Sequence, residues 1–118
     1  GNAMREFLYM DDMAAASLFV LELDEKTYQA NTKPMLSHIN LGTGEDITIR
    51  EMAETMKEVV GFEGKLSFDI TKPDGAPRKL IDVSRLSNLG WTYTVDLKAG
   101  LEKTYEWYLS QSRLRREE

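Results

Sequence analysis

The sequence predicts a small α/β fold in which a few short strands pack with about four helices. Short runs of alternating polar and apolar residues are typical of half-buried strands, and other stretches show the three- and four-residue apolar spacing of amphipathic helices. Clusters of Gly, Pro, Asn and Asp separate these runs. With 42% hydrophobic and 30% charged residues over 118 positions, the composition is that of one soluble globular domain.

The composition excludes several classes of function. The chain has 15 basic and 20 acidic residues, so it has no general attraction for nucleic acid or an anionic membrane surface. Without cysteine it can form no disulfide or thiolate site, and with His38 as its single histidine it can form no multi-histidine metal site. No apolar run approaches the ~20 residues of a membrane helix, and no signal peptide is visible. A cytoplasmic, metal-free domain is expected.

The first quarter of the chain predicts a strand followed by a helix. Residues 1–3 have the composition of a tag remnant and are left out of the fold prediction. Residues 5–10 alternate imperfectly, which predicts a short strand. Asp11 is the expected N-cap of a largely buried helix over 13–23, and Asp12 places negative charge in its first turn.

The middle of the chain predicts a second strand and the clearest helix. Residues 37–41 form the strand candidate. Thr48 and Glu51 have the spacing of a capping box, and the apolar residues that follow keep helical spacing up to Gly61, which suits a C-terminal cap.

The last part predicts a strand, a turn-rich loop and two helices. Residues 65–70 alternate as a strand does, and two prolines and a glycine mark 71–79 as a loop, with a short extended piece at Leu80 and Ile81. Asp82 and Asp96 are expected to cap the two helices. Gly100, which is unfavourable inside a helix, indicates a close packing contact. The expected boundaries are 1–3 for the remnant, 4–112 for the folded domain and 113–118 for a solvated tail.

Several known catalytic and cofactor motifs are incomplete. Gly42-Thr43-Gly44 supplies two glycines of a dinucleotide fingerprint, but Ile47 occupies the third position, so a tight connection is the better interpretation. No tyrosine has a lysine four residues later, so the reductase Tyr–Lys pair is absent. His38 lacks a Gly-x-Ser-x-Gly partner and is interpreted as a structural histidine in a strand. No catalytic residue is predicted.

Two basic features remain as candidates for anion binding. Arg5 stands alone among acidic and apolar residues, and a guanidinium can hold a phosphate through two parallel hydrogen bonds. The stiff 72–79 loop ends in the adjacent cations Arg78 and Lys79, and Lys65 lies upstream. From residue chemistry alone, a solvated basic loop is favoured over a diphosphate site, and both interpretations stay open.

Several segments together resemble a known family. The broader matches are 5–14 (REFLYMDDMA), 39–44 (INLGTG), 49–53 (IREMA), Leu89-Gly90-Trp91 and Gly100-Leu101; the narrower ones are 34–40 (PMLSHIN) and 72–80 (KPDGAPRKL). From residue 4 to about 110, the chain resembles the C-terminal part of the GDP-L-fucose synthase family of extended short-chain dehydrogenases/reductases. The resemblance implies the small substrate-binding lobe of such an enzyme, without its Rossmann domain.

The resemblance also implies roles for three cations and an activity for the parent protein. Arg5 would contact the GDP diphosphate, Lys79 would approach the phosphates and the sugar, and Lys65 would lie near the nucleotide. The parent would be an NADPH-dependent GDP-4-keto-6-deoxymannose 3,5-epimerase/4-reductase that makes GDP-L-fucose.

The chain departs from this family by lacking the Rossmann domain and its catalytic groups. The fragment is therefore expected to bind no NADPH and to be inactive alone. Its expected partners are a GDP-sugar and its own N-terminal Rossmann domain, within a homodimeric parent, and the isolated fragment is expected to self-associate through the exposed domain interface. The alternatives are a lobe of another nucleotide-sugar epimerase or dehydratase, and a non-catalytic interaction module.

Overall fold

A sheet of three short strands lies at the centre of the fold. The computed structural model describes residues 1–73 and 75–114. Strand β1 (Met4–Glu6) is central, β2 (Asp46–Thr48) pairs with it antiparallel, and β3 (Arg78–Lys79) pairs with it parallel. The predicted first strand is confirmed at its N-terminal half, whereas the extended piece expected at 80–81 falls two residues earlier, in β3.

Helix α3 follows β2 directly and packs on α5. The described residues form α1 (Met10–Leu21), α2 (Glu25–Asn31), α3 (Ile49–Val60), α4 (Ser84–Asn88) and α5 (Leu97–Leu114). None of the helices within the described ranges is long and apolar enough to cross a membrane. Asp74 of the basic loop and residues 115–118 of the expected tail lie outside the described residues.

Helix α3 confirms the capping prediction in detail. The Thr48 hydroxyl accepts a hydrogen bond from the Glu51 amide at 3.1 Å, and the Glu51 carboxylate accepts one from the Thr48 amide at 2.8 Å. At the other end, Gly61 adopts a left-handed conformation with φ 68°, and its amide and that of Phe62 donate to the last helical carbonyls. Both ends of α3 are therefore set by local sequence.

Helix α5 confirms two further predictions. The carboxylate of Asp96 accepts a hydrogen bond from the Ala99 amide at 2.9 Å, which caps the helix. Gly100 is buried, and a Cβ placed on it would lie 3.3 Å from the Tyr9 ring. The glycine thus allows α5 to approach the turn between β1 and α1.

The predictions for the start and burial of α1 are wrong. The helix begins at Met10 with Tyr9 at the N-cap and no side-chain cap, so Asp11 lies in the first turn beside Asp12. Only Asp12 and Ala16 of this helix are buried, because the described elements cover one side of it. Large apolar side chains on the other side are exposed: Met10, Met13, Leu18 and Leu21.

The strands predicted at 37–41 and 65–70 do not form. In the described residues the sheet consists of β1, β2 and β3, and these two segments use other contacts. The carbonyl of His38 accepts from the Arg85 guanidinium, and Phe68 packs under the Arg50 guanidinium, 4.3 Å from the ring centroid. His38 is exposed, so its predicted place as a structural histidine in a strand is wrong as well.

The short helix α4 is confirmed with a small shift. It begins at Ser84 with Val83 as its N-cap. The Asp82 carboxylate accepts from the Ser84 amide at 2.9 Å, so Asp82 supports the start of the helix from just outside it.

Candidate functional site

The structure brings two of the three predicted cations together. Arg5 of β1 and Lys79 of β3 are directly paired in the parallel register, and Arg5 is also paired with Ile47 of β2. Residues paired across neighbouring strands present their side chains to the same face of a sheet. One face therefore carries Arg5 and Lys79 side by side, with Arg5 half-buried and Lys79 exposed.

Arg5 also holds the basic loop. Its Nη1 donates to the Met4 carbonyl at 2.6 Å and to the Ala76 carbonyl at 2.9 Å. A Cβ placed on Gly75 would lie 3.4 Å from Nη2, so the loop packs closely on the guanidinium. Since a guanidinium has five N–H donors, an arginine seated in this way can present further donors to an anion.

Arg78 lies on the opposite face and has a different role. Its Nε and Nη2 donate to the two carboxylate oxygens of Asp46 at 2.6 and 3.1 Å, a bidentate pair in which the Asp46 side chain is 5% exposed. The hydrogen bonds from Arg78 hold the pKa of Asp46 below its ordinary value, and the pKa of Arg78 is raised in turn. By contrast, Lys79 forms no ion pair with any carboxylate of the described residues.

Lys65 is not joined to this pair. It is exposed and lies in the irregular segment that replaces the predicted strand. Within the described ranges, no hydrogen bond or ion pair connects Lys65 with Arg5 or Lys79. Its place near a bound nucleotide stays a prediction.

The sequence prediction missed Glu6, which organises the loops around the cations. One carboxylate oxygen, Oε1, accepts from the amides of Thr43 and Gly44 and from the Thr43 hydroxyl, and Oε2 accepts from the Ile81 amide at 3.0 Å. A Cβ on Gly42 would collide with Oε1, and Gly44 has φ +77°. The two glycines therefore make room for a carboxylate, and an acid next to Arg5 was the only sequence signal for it.

This arrangement explains the incomplete dinucleotide motif. Backbone amides of a glycine-rich loop can bind phosphate when they point at an empty site. Here the amides of Thr43 and Gly44 already donate to Glu6. A phosphate would have to displace that carboxylate. Gly42-Thr43-Gly44 is therefore a tight loop whose amides bind the chain's own Glu6 side chain.

Asp12 is a buried acid with a structural role. Its side chain accepts from the Thr94 hydroxyl at 2.7 Å and from the amides of Thr94 and Val95 at 3.1 and 2.9 Å. Burial raises the pKa of Asp12, but these hydrogen bonds outweigh burial and hold the pKa below its ordinary value. The residue ties α1 to the segment before α5, and acid–base catalysis is not required to explain it.

Comparisons with known proteins connect this geometry to one group of enzymes. No protein-family model matches the chain. GDP-L-fucose synthase from Escherichia coli (strain K12) is 58% identical over 116 residues, which are 98% of this chain and 36% of that protein. The chain is homologous to one part of the GDP-L-fucose synthases. GDP-L-fucose synthase 1 of Arabidopsis thaliana is 54% identical over 109 residues, 92% of this chain and 31% of that protein. The chain spans about a third of the length of these relatives.

Solved structures extend the likeness to the fold. A GDP-6-OMe-4-keto-L-xylo-heptose reductase from Campylobacter jejuni matches 93% of this chain and 32% of its own, with a TM-score of 0.83 and 38% identity. A GDP-D-glycero-L-gluco-heptose synthase from the same organism was solved in the presence of NADPH. It matches 92% of this chain and 31% of its own, with a TM-score of 0.79 and 38% identity. The predicted resemblance and the small mixed α/β fold, which occupies about a third of an extended short-chain dehydrogenase/reductase, are confirmed.

Proposed function

We propose that this chain is the C-terminal GDP-sugar-binding lobe, residues 4–112, of a cytoplasmic NADPH-dependent epimerase/reductase that makes GDP-L-fucose. The observation that carries the proposal is the pairing of Arg5 with Lys79 on one face of the sheet, with Gly75 and Ala76 packed against the Arg5 guanidinium. Relatives with the name GDP-L-fucose synthase support the same activity. The alternative lobes and the interaction module are not favoured by these relatives.

In this proposal the lobe binds and orients the substrate. The guanidinium of Arg5 donates parallel hydrogen bonds to the diphosphate, and the ammonium of Lys79 adds a compact positive charge beside it. Lys65 contributes a third cation toward the nucleotide. Holding the sugar in a reactive orientation can lower a barrier by as much as about 7–11 kcal/mol.

The catalytic groups belong to the remainder of the parent protein. Its Rossmann domain is the expected partner of this lobe, and two copies are expected to form a homodimer. When NADPH is bound there, it supplies the hydride that reduces the keto group after epimerisation. The isolated chain is accordingly expected to bind no NADPH and to leave the keto sugar unchanged.

The test is substitution of the two cations in the complete enzyme. Arg5→Ala and Lys79→Ala should each raise the dissociation constant of GDP about tenfold or more, since hydrogen bonds to charged groups contribute about 1.5–3 kcal/mol. Calorimetric titration with GDP measures this. Lys26→Ala, which removes an exposed lysine from α2, is the matched control and should bind as the unaltered enzyme does.

Two results would contradict the proposal. Unchanged GDP affinity in both variants would show that Arg5 and Lys79 do not contribute to GDP binding. A preference for UDP-glucose over GDP-fucose in parallel titrations would assign the lobe to another nucleotide-sugar enzyme.

A further inference from the structure

Glu6 connects the two loops that flank the cation pair. Its carboxylate accepts from Thr43, Gly44 and Ile81, which lie 37, 38 and 75 residues away along the chain. The site described above uses none of these bonds directly. They nevertheless join the Gly42-Thr43-Gly44 loop, the centre of the sheet and the chain that leaves β3.

The segment that bears Lys79 needs this support. Strand β3 has only two residues, so it has few ladder bonds of its own. The Met4 amide donates to the Pro77 carbonyl at 2.8 Å on one side of Lys79, and the Ile81 amide donates to Glu6 at 3.0 Å on the other. Both bonds lead back to β1, so residues on either side of Lys79 are fixed relative to Arg5.

Glu6 achieves this from the other face of the sheet. Successive residues of a strand point to opposite faces, and Glu6 is paired with Asp46, whose ion pair with Arg78 marks that face. The negative charge of Glu6 is therefore kept away from the face that carries Arg5 and Lys79.

We propose that Glu6 is a positioning residue: it holds the groups that bind the nucleotide sugar but does not contact the nucleotide sugar itself. By accepting hydrogen bonds from both loops it keeps Lys79 in register with Arg5, so that the two cations meet the diphosphate together. This inference rests on the proposed function.

The experiment uses Glu6→Gln in the complete enzyme. The glutamine amide has one acceptor oxygen where the carboxylate has two, so it cannot accept hydrogen bonds from both loops. The KM for GDP-4-keto-6-deoxymannose should therefore rise about tenfold while kcat stays within about twofold. This pattern is expected when an interaction stabilises the bound substrate and the transition state equally. Glu6→Ala should raise KM further. Glu54→Gln, which neutralises an exposed acid of α3, is the control and should leave both constants unchanged.

A second substitution tests the same contact from its other side. In Gly42→Ala the new Cβ occupies the space of the Glu6 carboxylate. It should raise KM as Glu6→Gln does, and the double variant should be no worse than the more severe single one, because both changes break one interaction. Fully additive effects would show that the two residues act independently and would overturn the proposal.

Partial misfolding is separated from weakened binding by titrating each variant with NADPH, which gives the competent fraction. An unchanged KM in that fraction overturns the proposal for Glu6. If Arg5→Ala and Lys79→Ala raise KM and Glu6→Gln does not, the inference fails while the proposed function stands. If none of the three raises KM, the proposed function itself fails.

Discussion

At the residue scale, two acids show how far a single side chain reaches in this fold. Asp12 accepts from residues more than 80 positions away, and Glu6 from one that is 75 positions away. Arg5 could be singled out in the sequence because it stands alone among acidic and apolar residues, and Lys79 because it lies at the end of a stiff, basic loop. Glu6 and Asp12 could not, because their partners are set by the tertiary fold and no local pattern marks them.

Asp12 makes the free energy of unfolding depend on pH. Because its pKa is lowered in the folded state, its contribution is present above the ordinary aspartate pKa of about 4 and is lost as the pH falls through the folded value. Asp12→Asn should therefore flatten the loss of stability below about pH 4 and cost about 2 kcal/mol at neutral pH. Urea unfolding of the 118-residue chain across pH measures both.

The control for Asp12 is its exposed neighbour. Asp11→Asn removes a charge from the same helical turn without touching Thr94 or Val95. It should change the free energy of unfolding by no more than about 0.5 kcal/mol. Equal losses in the two variants would assign the effect to the helix dipole instead of the buried hydrogen bonds.

At the element scale, helices and strands were predicted with different success. Helix α3 begins and ends at residues whose caps are a few positions away, and α5 begins beside its cap at Asp96, so the sequence contains what is needed to place these helix ends. The segments 37–41 and 65–70 were expected to form strands, and 65–70 alternates as a strand does, but neither pairs with a strand of the described sheet. Strand pairing depends on residues that are distant in the sequence, and an alternating pattern within one segment does not identify them.

The cap of α3 gives a prediction at this scale. Thr48→Ala removes the hydroxyl that accepts from the Glu51 amide and should cost about 1 kcal/mol of unfolding free energy. Thr55→Ala, in the middle of the same helix, is the matched control and should cost little, because alanine is the better helix former. Chemical denaturation followed by circular dichroism compares the two. A larger loss at Thr55 would contradict the capping role.

At the scale of the whole molecule, the chain is open and extended. Its radius of gyration is 18.2 Å, whereas a compact domain of this length has about 13.5 Å. It exposes 9158 Å², about 40% more than a compact monomer of its mass. In the described residues the fully apolar core consists of Ala3, Ala16 and Leu86. Such a shape suits a lobe that is covered by further protein, which is the expected Rossmann domain.

The exposed apolar side chains of α1 predict self-association of the isolated chain. Met13 and Leu18 of α1 are 50% and 58% exposed, so contact between copies would bury apolar surface. Met13→Lys and Leu18→Lys should shift light-scattering masses toward the monomer. Met35→Lys, at a residue that is 92% exposed outside α1, is the control and should leave the mass unchanged. A monomeric unaltered chain at high concentration would contradict the prediction.

The neighbouring opposite charges of β1 make the chain intolerant of small changes in its length. Arg5 and Glu6 occupy opposite faces of a strand of three residues. Deleting one residue just before them moves Glu6 to the position of Arg5, so a carboxylate would replace the guanidinium beside Lys79. Inserting one residue instead moves Arg5 to the position of Glu6 and would carry a cation into the amide cradle of Thr43 and Gly44. Each slip thus reverses the charge at one of the two sites, so insertions should be accepted in the surface loops, and both insertions and deletions should be rejected here.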